Sequence, residues 1–408
     1  WDSTELCIAS IDEMEISDQK VVASEGESFF QPEWDDEGKL YVVTDRNNWW
    51  NLFRVDETKE EIDLMPLTNV EAEIGLPQWV FGQSRYALVD GEIWFVAREA
   101  GLDKLMTLSN DGQVEHVKLD ATEIESVKSY RNGIIATVSS WKSESSVMFI
   151  SREGTESFSE LRDLKIDEKW FPVPEAFTYE TSDNEKAHAL FYSPTNPDYK
   201  VSETEYPPLI VMAHGGPTGA ARRQMQLSIA YWTSRGFGVA DIDYRGSTGY
   251  GRSYRHRLND NWGLADVEDC VAAAKHLVSQ KKVDETRLAI KGGSAGGFTV
   301  LAALTFHNTF TAGASRYGIA DLAVLAQDTH KFESRYLDRL VGRWPEDKEI
   351  YEQRSPIHHV EQLSTPMVIL QGLEDPIVPP NQARLMAQKL KENEIPHAVI
   401  EFSDEGHG

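Results

Sequence analysis

Cysteine is almost absent from this chain, since Cys7 and Cys270 are the only two among 408 residues. Two cysteines cannot build the disulfide framework that holds small secreted proteins together, so packed cores must stabilise the fold. Hydrophobic residues make up 40% of the sequence, which is ample for such cores. A chain of this length predicts about two or three domains. We interpret Cys270, inside a helix-like run over 267–278, as a small buried side chain.

Long apolar runs and positive charge are also scarce. No run of about eighteen apolar residues occurs, so no transmembrane helix and no membrane partner are predicted. The sequence has 40 Lys and Arg against 67 Asp and Glu, which gives a net charge of −27. Binding to nucleic acid requires a basic face, so this balance argues against such a partner. We expect a cytoplasmic protein, with secretion and a homo-oligomer left open.

Signatures of cofactor and metal sites are missing as well. Acidic residues are spread along the chain, and no spacing of Asp, Glu and His requires a metal. No phosphate loop or dinucleotide-binding fingerprint stands out. His358 and His359 are adjacent and cannot both lie on one face of a helix, so we interpret them as structural. We therefore expect neither a cofactor nor a metal ion.

A Gly-x-Ser-x-Gly motif centred on Ser294 is the most informative stretch of the sequence. It follows an apolar, strand-like run over 288–290 and precedes a helix-like run over 298–304. Strand, motif and helix in this order are typical of the nucleophile elbow of α/β-hydrolases. The glycines at 292 and 296 let strand and helix pack closely around a serine presented at a sharp turn. A plain glycine-rich turn is the alternative interpretation.

An acid and a histidine follow Ser294 in the chain order that a catalytic triad requires. Asp375 comes after a strand-like run over 366–371, and His407 comes after another over 397–402. Because active sites of open α/β sheets lie at the carboxyl ends of strands, both residues are expected near the elbow. Asp375 would orient His407, which would act as the base. Glu374 is the alternative acid, and a turn aspartate and a surface histidine are the structural alternatives.

Hydrolysis through a serine also needs donors for the oxyanion of the intermediate. The backbone N–H of Ala295 in the elbow is one candidate. The other is expected in the loop after the apolar strand-like run over 209–213, where His214, Gly215 and Gly216 follow. Gly216 is the preferred donor and Gly215 the alternative, while a plain Gly-Pro turn would have no catalytic role.

Five motifs together carry a resemblance to a known family. They are His214-Gly215-Gly216-Pro217, Asp243-Tyr244-Arg245-Gly246-Ser247-Thr248-Gly249-Tyr250-Gly251, Gly292-Gly293-Ser294-Ala295-Gly296-Gly297, Gly372-x-x-Asp375-x-x-Val378-Pro379 and Glu405-Gly406-His407-Gly408. The sequence over about residues 170–408 strongly resembles the prolyl oligopeptidase family of serine peptidases, in particular its acylaminoacyl-peptidase and dipeptidyl-aminopeptidase branch. The first part of the chain resembles it more weakly.

The resemblance implies a function for each candidate residue. Ser294, Asp375 and His407 would form the triad, and Gly216 and Ala295 would form the oxyanion hole. Tyr244 would shape the site near its entrance, with a structural turn as the alternative. Tyr317 and Phe332 come from a segment that often lines the substrate pocket, although core positions are the alternative for both. Short peptides would be the substrates.

The first part of the chain shows paired strand-like runs instead of alternating strands and helices. The pairs recur roughly every 40–50 residues, which is typical of propeller blades. We interpret them as three blade-like units and a fragment, with an unrelated all-β sandwich as the alternative. The resemblance implies a propeller that screens substrates by size. The runs lie over 39–43, 51–55, 92–96, 104–108, 133–138 and 146–150.

These observations predict a fold with two domains. Residues 1–168 would form part of a β-propeller, and residues 169–408 an α/β-hydrolase domain with a mostly parallel, doubly wound sheet. Because propellers of about four to eight blades close on themselves, three blades are too few. The pattern also predicts a start in mid-blade at Trp1, and the sequence stops one residue after His407, where the resemblance implies a further helix. We therefore expect a fragment of a longer protein.

The predicted function is peptide hydrolysis through an acyl-enzyme on Ser294. A carboxylesterase is the first alternative, since a serine triad does not distinguish an amide from an ester. A non-catalytic propeller scaffold with a relic hydrolase domain is the second alternative, and the complete set of triad residues argues against it.

Overall fold

The computed structural model describes residues 3–12, 15–22, 26–56, 62–159, 162–200, 202 and 204–408. Trp1, at which a mid-blade start was expected, lies outside this range. The chain divides into two compact units. The first unit comprises Trp1–Lys165, Arg222–Met225 and Thr248–Tyr254, and the second comprises Ile166–Ala221, Gln226–Ser247 and Arg255–Gly408.

The first unit is built from antiparallel sheets whose strands follow one another along the chain. The described residues form a two-stranded sheet, β1-β2, and four-stranded sheets with the orders β3-β4-β5-β6, β10-β9-β8-β7 and β11-β12-β13-β14. The six strand-like runs predicted from sequence are confirmed as β4, β5, β8, β9, β12 and β13. The strands are β1 (Leu6–Asp12), β2 (Glu15–Val22), β3 (Phe29–Trp34), β4 (Leu40–Asn47), β5 (Trp49–Asp56), β6 (Asp63–Pro66), β7 (Tyr86–Val89), β8 (Glu92–Glu99), β9 (Leu102–Leu108), β10 (Val114–Val117), β11 (Glu123–Tyr130), β12 (Gly133–Ser140), β13 (Ser143–Ser151) and β14 (Gly154–Ser157).

Strand β8 shows how these sheets pack face to face. Its side chains alternate between the two faces of its sheet, as in any β-strand. Phe95 is buried in a cluster with Trp50 of the preceding sheet. Trp94 is buried in a different cluster with Ile134 of the following sheet. The middle sheet is therefore apolar on both faces, which explains why β8 is a continuous apolar run instead of an alternating one.

A buried cluster of ionised groups links the middle sheet of the first unit to its neighbour. Arg85 Nη2 lies 2.8 Å from Asp103 Oδ1, and Arg98 Nε lies 2.9 Å from the same oxygen. Arg98 also donates to Glu123 Oε2 at 2.5 Å. Burial alone would raise the pKa of Asp103, but the two guanidinium groups outweigh it and hold that pKa well below its ordinary value.

We expect Asp103→Ala to destabilise the first unit by about 3–5 kcal/mol, because two guanidinium groups would remain buried without their shared carboxylate. Urea unfolding followed by tryptophan fluorescence measures the change in midpoint. Glu99→Gln is the control, since Glu99 forms an exposed ion pair with Lys104. Equal midpoints for Asp103→Ala and Glu99→Gln would contradict the prediction.

The second unit is organised around an eight-stranded sheet with the order β15-β16-β18-β17-β19-β20-β21-β22. The pairs β15-β16 and β16-β18 are antiparallel, and all the other neighbours are parallel. Its strands are β15 (Glu175–Glu180), β16 (Lys186–Tyr192), β17 (Leu209–Ala213), β18 (Gly238–Asp243), β19 (Leu288–Gly293), β20 (Ala312–Arg316), β21 (Met367–Gly372) and β22 (His397–Phe402).

Helices connect the parallel strands. The α-helices are α1 (Leu227–Thr233), α2 (Arg252–Arg255), α3 (Ala265–Ser279), α4 (Ala295–Phe306), α5 (Leu322–Asp328), α6 (Leu337–Leu340), α7 (Lys348–Arg354) and α8 (Asn381–Glu392). Short 3-10 helices cover Glu168–Trp170, Ser182–Asn184, His256–Leu258, Lys331–Glu333, Pro356–His358 and Val360–Gln362. Within the described ranges, no helix is both long enough and apolar enough to cross a bilayer.

The sheet confirms the predicted α/β-hydrolase fold, and an all-β part precedes it in the chain. The strand-like runs predicted for this part of the sequence are present, and the helix-like runs over 267–278 and 298–304 lie in α3 and α4. The three candidate triad residues lie in loops that leave the carboxyl ends of strands: Ser294 follows β19, Asp375 follows β21 and His407 follows β22. The segment between β20 and β21 contains α5, α6 and α7, and no helix was predicted there from the sequence.

Candidate active site

Ser294 occupies a tight turn between β19 and α4. Its φ of 56° and ψ of −125° lie in a region that side-chain-bearing residues rarely adopt. Such a conformation costs about 1–3 kcal/mol and must be enforced by its surroundings. The N–H of Ser294 donates to the carbonyl oxygen of Arg316 at 3.0 Å. A Cβ at Gly296 would lie 2.1 Å from the carbonyl oxygen of Ala213, so glycine is required there.

Hydrogen bonds in series connect the three predicted side chains. His407 Nε2 lies 3.0 Å from Ser294 Oγ, and His407 Nδ1 lies 2.7 Å from Asp375 Oδ2. The side chain of His407 is partly exposed, whereas Asp375 is 4% exposed. The imidazole is thus held between a buried carboxylate and the hydroxyl at the turn.

Backbone donors fix the orientation of Asp375. The N–H groups of Ile377 and Val378 each donate to Asp375 Oδ1 at 2.9 Å, which leaves Oδ2 for His407. Glu374, the alternative acid, has an exposed side chain. The two adjacent carboxylates therefore differ sharply in burial, and the one in contact with the imidazole is Asp375.

The loops that carry Asp375 and His407 pack closely against each other. The N–H of Glu374 donates to the carbonyl oxygen of Glu405 at 3.0 Å. A Cβ at Gly372 would lie 2.4 Å from the carbonyl oxygens of both Glu405 and Gly406. The absence of a side chain at Gly372 therefore allows the loop with His407 to approach the acid.

Gly216 and Ala295 border the same cavity as Ser294. Within the described part of the chain, neither backbone N–H donates a hydrogen bond to another group of the protein. The alternative donor, Gly215, is also close to the serine, because a Cβ on it would lie 3.5 Å from Ser294 Cβ. Two unused N–H donors beside the hydroxyl suit an oxygen atom that gains negative charge.

His214 stabilises the loop that contains Gly216. Its Nε2 lies 2.7 Å from Ser247 Oγ, and its ring stacks on Tyr244 at 4.2 Å between centroids. Burial lowers the pKa of His214 to about 4, so this imidazole is neutral at physiological pH. Tyr244 is completely buried and its hydroxyl donates to the carbonyl oxygen of His214 at 3.1 Å. The expectation that Tyr244 lies at the entrance is therefore wrong: its side chain supports the loop from inside.

The other predicted pocket residues also lie outside this cavity. Tyr317 packs against the ring of His407 at 4.6 Å, and Phe332 is 46% exposed. The cavity is instead lined by residues that sequence reasoning missed, mainly from α5, α6 and the loops around them. Its polar wall includes Thr329 and Glu333, and its apolar wall consists of Trp262, Ile319, Leu325, Tyr336, Leu337, Ile377 and Val378.

The site contains no arrangement suited to a metal ion. Among the described residues, no group of three or more His, Cys, Asp or Glu side chains could hold one. The chemistry that the site can perform with its own groups is nucleophilic attack by an activated serine.

Comparisons with known proteins find a matching family and similar relatives. The model of the prolyl oligopeptidase family matches residues 223–408. Dipeptidyl peptidase family member 6 of Caenorhabditis elegans is 31% identical over 207 residues, which is 49% of this chain and 28% of that protein. Acylamino-acid-releasing enzyme 1 of Oryza sativa subsp. japonica is 30% identical over 216 residues, which is 49% of this chain and 27% of that protein.

Solved structures are similar over the whole chain. A puromycin hydrolase has a TM-score of 0.95 at 36% identity and covers 100% of this chain, which in turn spans 62% of that protein. A puromycin-hydrolyzing peptidase of Mycobacterium tuberculosis has a TM-score of 0.94 at 35% identity, with coverage of 100% and 63%. This chain thus spans less than two thirds of the length of each of these four proteins. Residues 223–408 thus match the prolyl oligopeptidase family, and the chain shares its fold with these solved structures over its whole length.

Proposed function

We propose that this protein is a serine peptidase that cleaves short peptides through an acyl-enzyme on Ser294. The observation that carries the proposal is the series of hydrogen bonds from Asp375 through His407 to Ser294. These groups lie in loops after the carboxyl ends of β21, β22 and β19, where open α/β sheets bind their ligands. Acylaminoacyl-peptidase, dipeptidyl-peptidase and oligopeptidase activities all fit this machinery.

In the proposed mechanism, each of the three side chains has its own step. Ser294 Oγ attacks the peptide carbonyl carbon while His407 Nε2 accepts the hydroxyl proton. His407 then gives that proton to the leaving amine as the C–N bond breaks, and an acyl ester remains on Ser294. Water, deprotonated by His407, releases the acid and restores the hydroxyl. Asp375 keeps His407 Nδ1 protonated and stabilises the imidazolium in both steps.

The N–H groups of Gly216 and Ala295 are proposed to bind the oxyanion of the tetrahedral intermediates. Their freedom from other hydrogen bonds within the described chain supports this assignment. Fixed donors of this kind lower the barrier because they need not reorganise when charge develops. The neutral, buried His214 would hold the Gly216 loop in place without taking part in proton transfer.

Residues 1–168, which provide most of the first unit, are proposed to be part of a β-propeller that limits the size of substrates, and residues 169–408 are proposed to be the catalytic domain. Consecutive four-stranded antiparallel sheets packed face to face support this proposal.

A cytoplasmic location is also proposed, and the observation that both cysteines are free thiols supports it.

A fluorophosphonate probe tests the proposed function directly. It should label Ser294, as identified by mass spectrometry of the tryptic peptide, and absence of an adduct would favour the non-catalytic scaffold. Rates of cleavage of acyl-amino-acid anilides, dipeptidyl anilides and simple esters then distinguish a peptidase from a carboxylesterase. Cleavage of esters alone would support a carboxylesterase and contradict the peptidase.

A further inference from the structure

The cavity beside Ser294 combines an apolar wall with one carboxylate. Among the described residues that line it, Glu333 is the only acidic one, and none is a lysine or an arginine. Trp262, Leu325 and Leu337 contribute apolar surface to the same cavity. A carboxylate within such a wall is costly unless a partner compensates its charge.

The protein itself compensates Glu333 only weakly. Its ion-pair partner is His330, whose Nε2 lies 3.7 Å from Glu333 Oε1 and is charged only when protonated. Within the described ranges, no lysine or arginine forms an ion pair with Glu333. Burial raises the pKa of Glu333, although His330, His407 and the Thr329 hydroxyl act in the opposite direction. A cation entering the cavity would therefore favour the ionised carboxylate.

The position of the cavity determines which part of a substrate enters it. Gly216, Ala295 and Ser294 line the cavity, whereas His407 does not. The leaving amine must face His407, because it receives its proton from that imidazole. A substrate group in the cavity therefore belongs to the acyl side of the scissile bond.

We propose that Glu333 is a specificity-determining residue that binds a protonated amine carried by the residue on the acyl side of the cleaved bond. This inference rests on the proposed peptidase function and deepens it. The amine is either the free α-amino group of an N-terminal residue or the side-chain amine of lysine. In both cases an ammonium group donates charge-assisted hydrogen bonds to the carboxylate, and the apolar wall receives the rest of the residue.

Two pairs of substrates test the proposal and distinguish the sources of the amine. Alanine 4-nitroanilide is compared with its N-acetyl derivative, and N-acetyl-lysine 4-nitroanilide with N-acetyl-leucine 4-nitroanilide. We expect the wild-type protein to prefer the charged member of one pair. Glu333→Gln should reduce that ratio of kcat/KM values by about 10- to 100-fold, since a hydrogen bond to a charged group is lost.

Glu374→Gln is the matched control, because it removes an exposed carboxylate that does not line the cavity. Its substrate ratios should equal those of the wild type. A merely structural role of Glu333 would lower kcat/KM for all substrates together and leave the ratios unchanged, which would overturn the proposal. Wild-type protein without preference in either pair would overturn it as well.

Labelling of Ser294 by a fluorophosphonate distinguishes failure of the proposal for Glu333 from failure of the proposed peptidase function. If Glu333→Gln is labelled at the wild-type rate and cleaves the uncharged substrates, N-acetyl-alanine and N-acetyl-leucine 4-nitroanilide, the catalytic machinery is intact. Unchanged ratios then refute the inference alone. Absence of labelling and hydrolysis in the wild-type protein would refute both proposals.

Discussion

Ser294→Ala is expected to reduce kcat for peptide anilides by roughly 10⁴- to 10⁶-fold, to the residual rate that the oxyanion donors and substrate binding alone support. The hydroxyl that accepts the acyl group is removed, and neither His407 nor Asp375 can replace it. Affinity for a substrate or product should change little, because the Gly216 and Ala295 donors and the cavity wall remain in place.

The structure of the variant should be unchanged, since alanine keeps the Cβ that the turn already accommodates. Circular dichroism and the thermal midpoint check this expectation. Ser279→Ala is the control: Ser279 ends α3 and its hydroxyl donates to the carbonyl oxygen of His276. Its activity and labelling should match those of the wild type. A Ser294→Ala protein that retains wild-type turnover would place the nucleophile elsewhere.

The positions of the three linked side chains could be predicted because each follows an apolar strand in a loop of distinctive composition. Ser294 lies between glycines, and packing makes Gly296 necessary: a Cβ there would meet the carbonyl oxygen of Ala213. The order of the strands along the chain then brings Asp375 and His407 to the same edge of the sheet. For these residues, local sequence and global topology agree.

The cavity could not be predicted in the same way. Trp262 and Glu333 lie in short helices and loops whose sequence has no helical or strand periodicity, so nothing local indicates which side chains converge. The role of Tyr244 was mispredicted because its loop follows β18 of the same sheet, whereas its ring is buried against His214. Outer strands such as β10 and β14 were missed because their residues are mostly exposed and do not alternate.

Asp375→Asn is also expected to have a large effect on turnover. This variant tests the alignment of the hydrogen bonds more strictly than Ser294→Ala does, because the nucleophile is still present. The amide oxygen of asparagine can still accept from the N–H groups of Ile377 and Val378, so the loop should keep its conformation. The amide NH₂ then faces His407 Nδ1, which must become an acceptor. In that tautomer the proton is on Nε2, and His407 can no longer accept the proton of Ser294 Oγ.

We therefore expect kcat to fall by about 10⁴-fold with a small change in KM, and labelling by a fluorophosphonate to slow in parallel. Stopped assays on peptide anilides and time courses of labelling measure the two effects. Glu374→Gln is the adjacent control and should keep kcat within about twofold, because Glu374 is exposed and Asp375 makes the contact with the imidazole. The opposite pattern, with Asp375→Asn active and Glu374→Gln inactive, would assign the acid to Glu374. Since the two carboxylates are neighbours in sequence, the pair of variants isolates the effect of geometry from that of local charge.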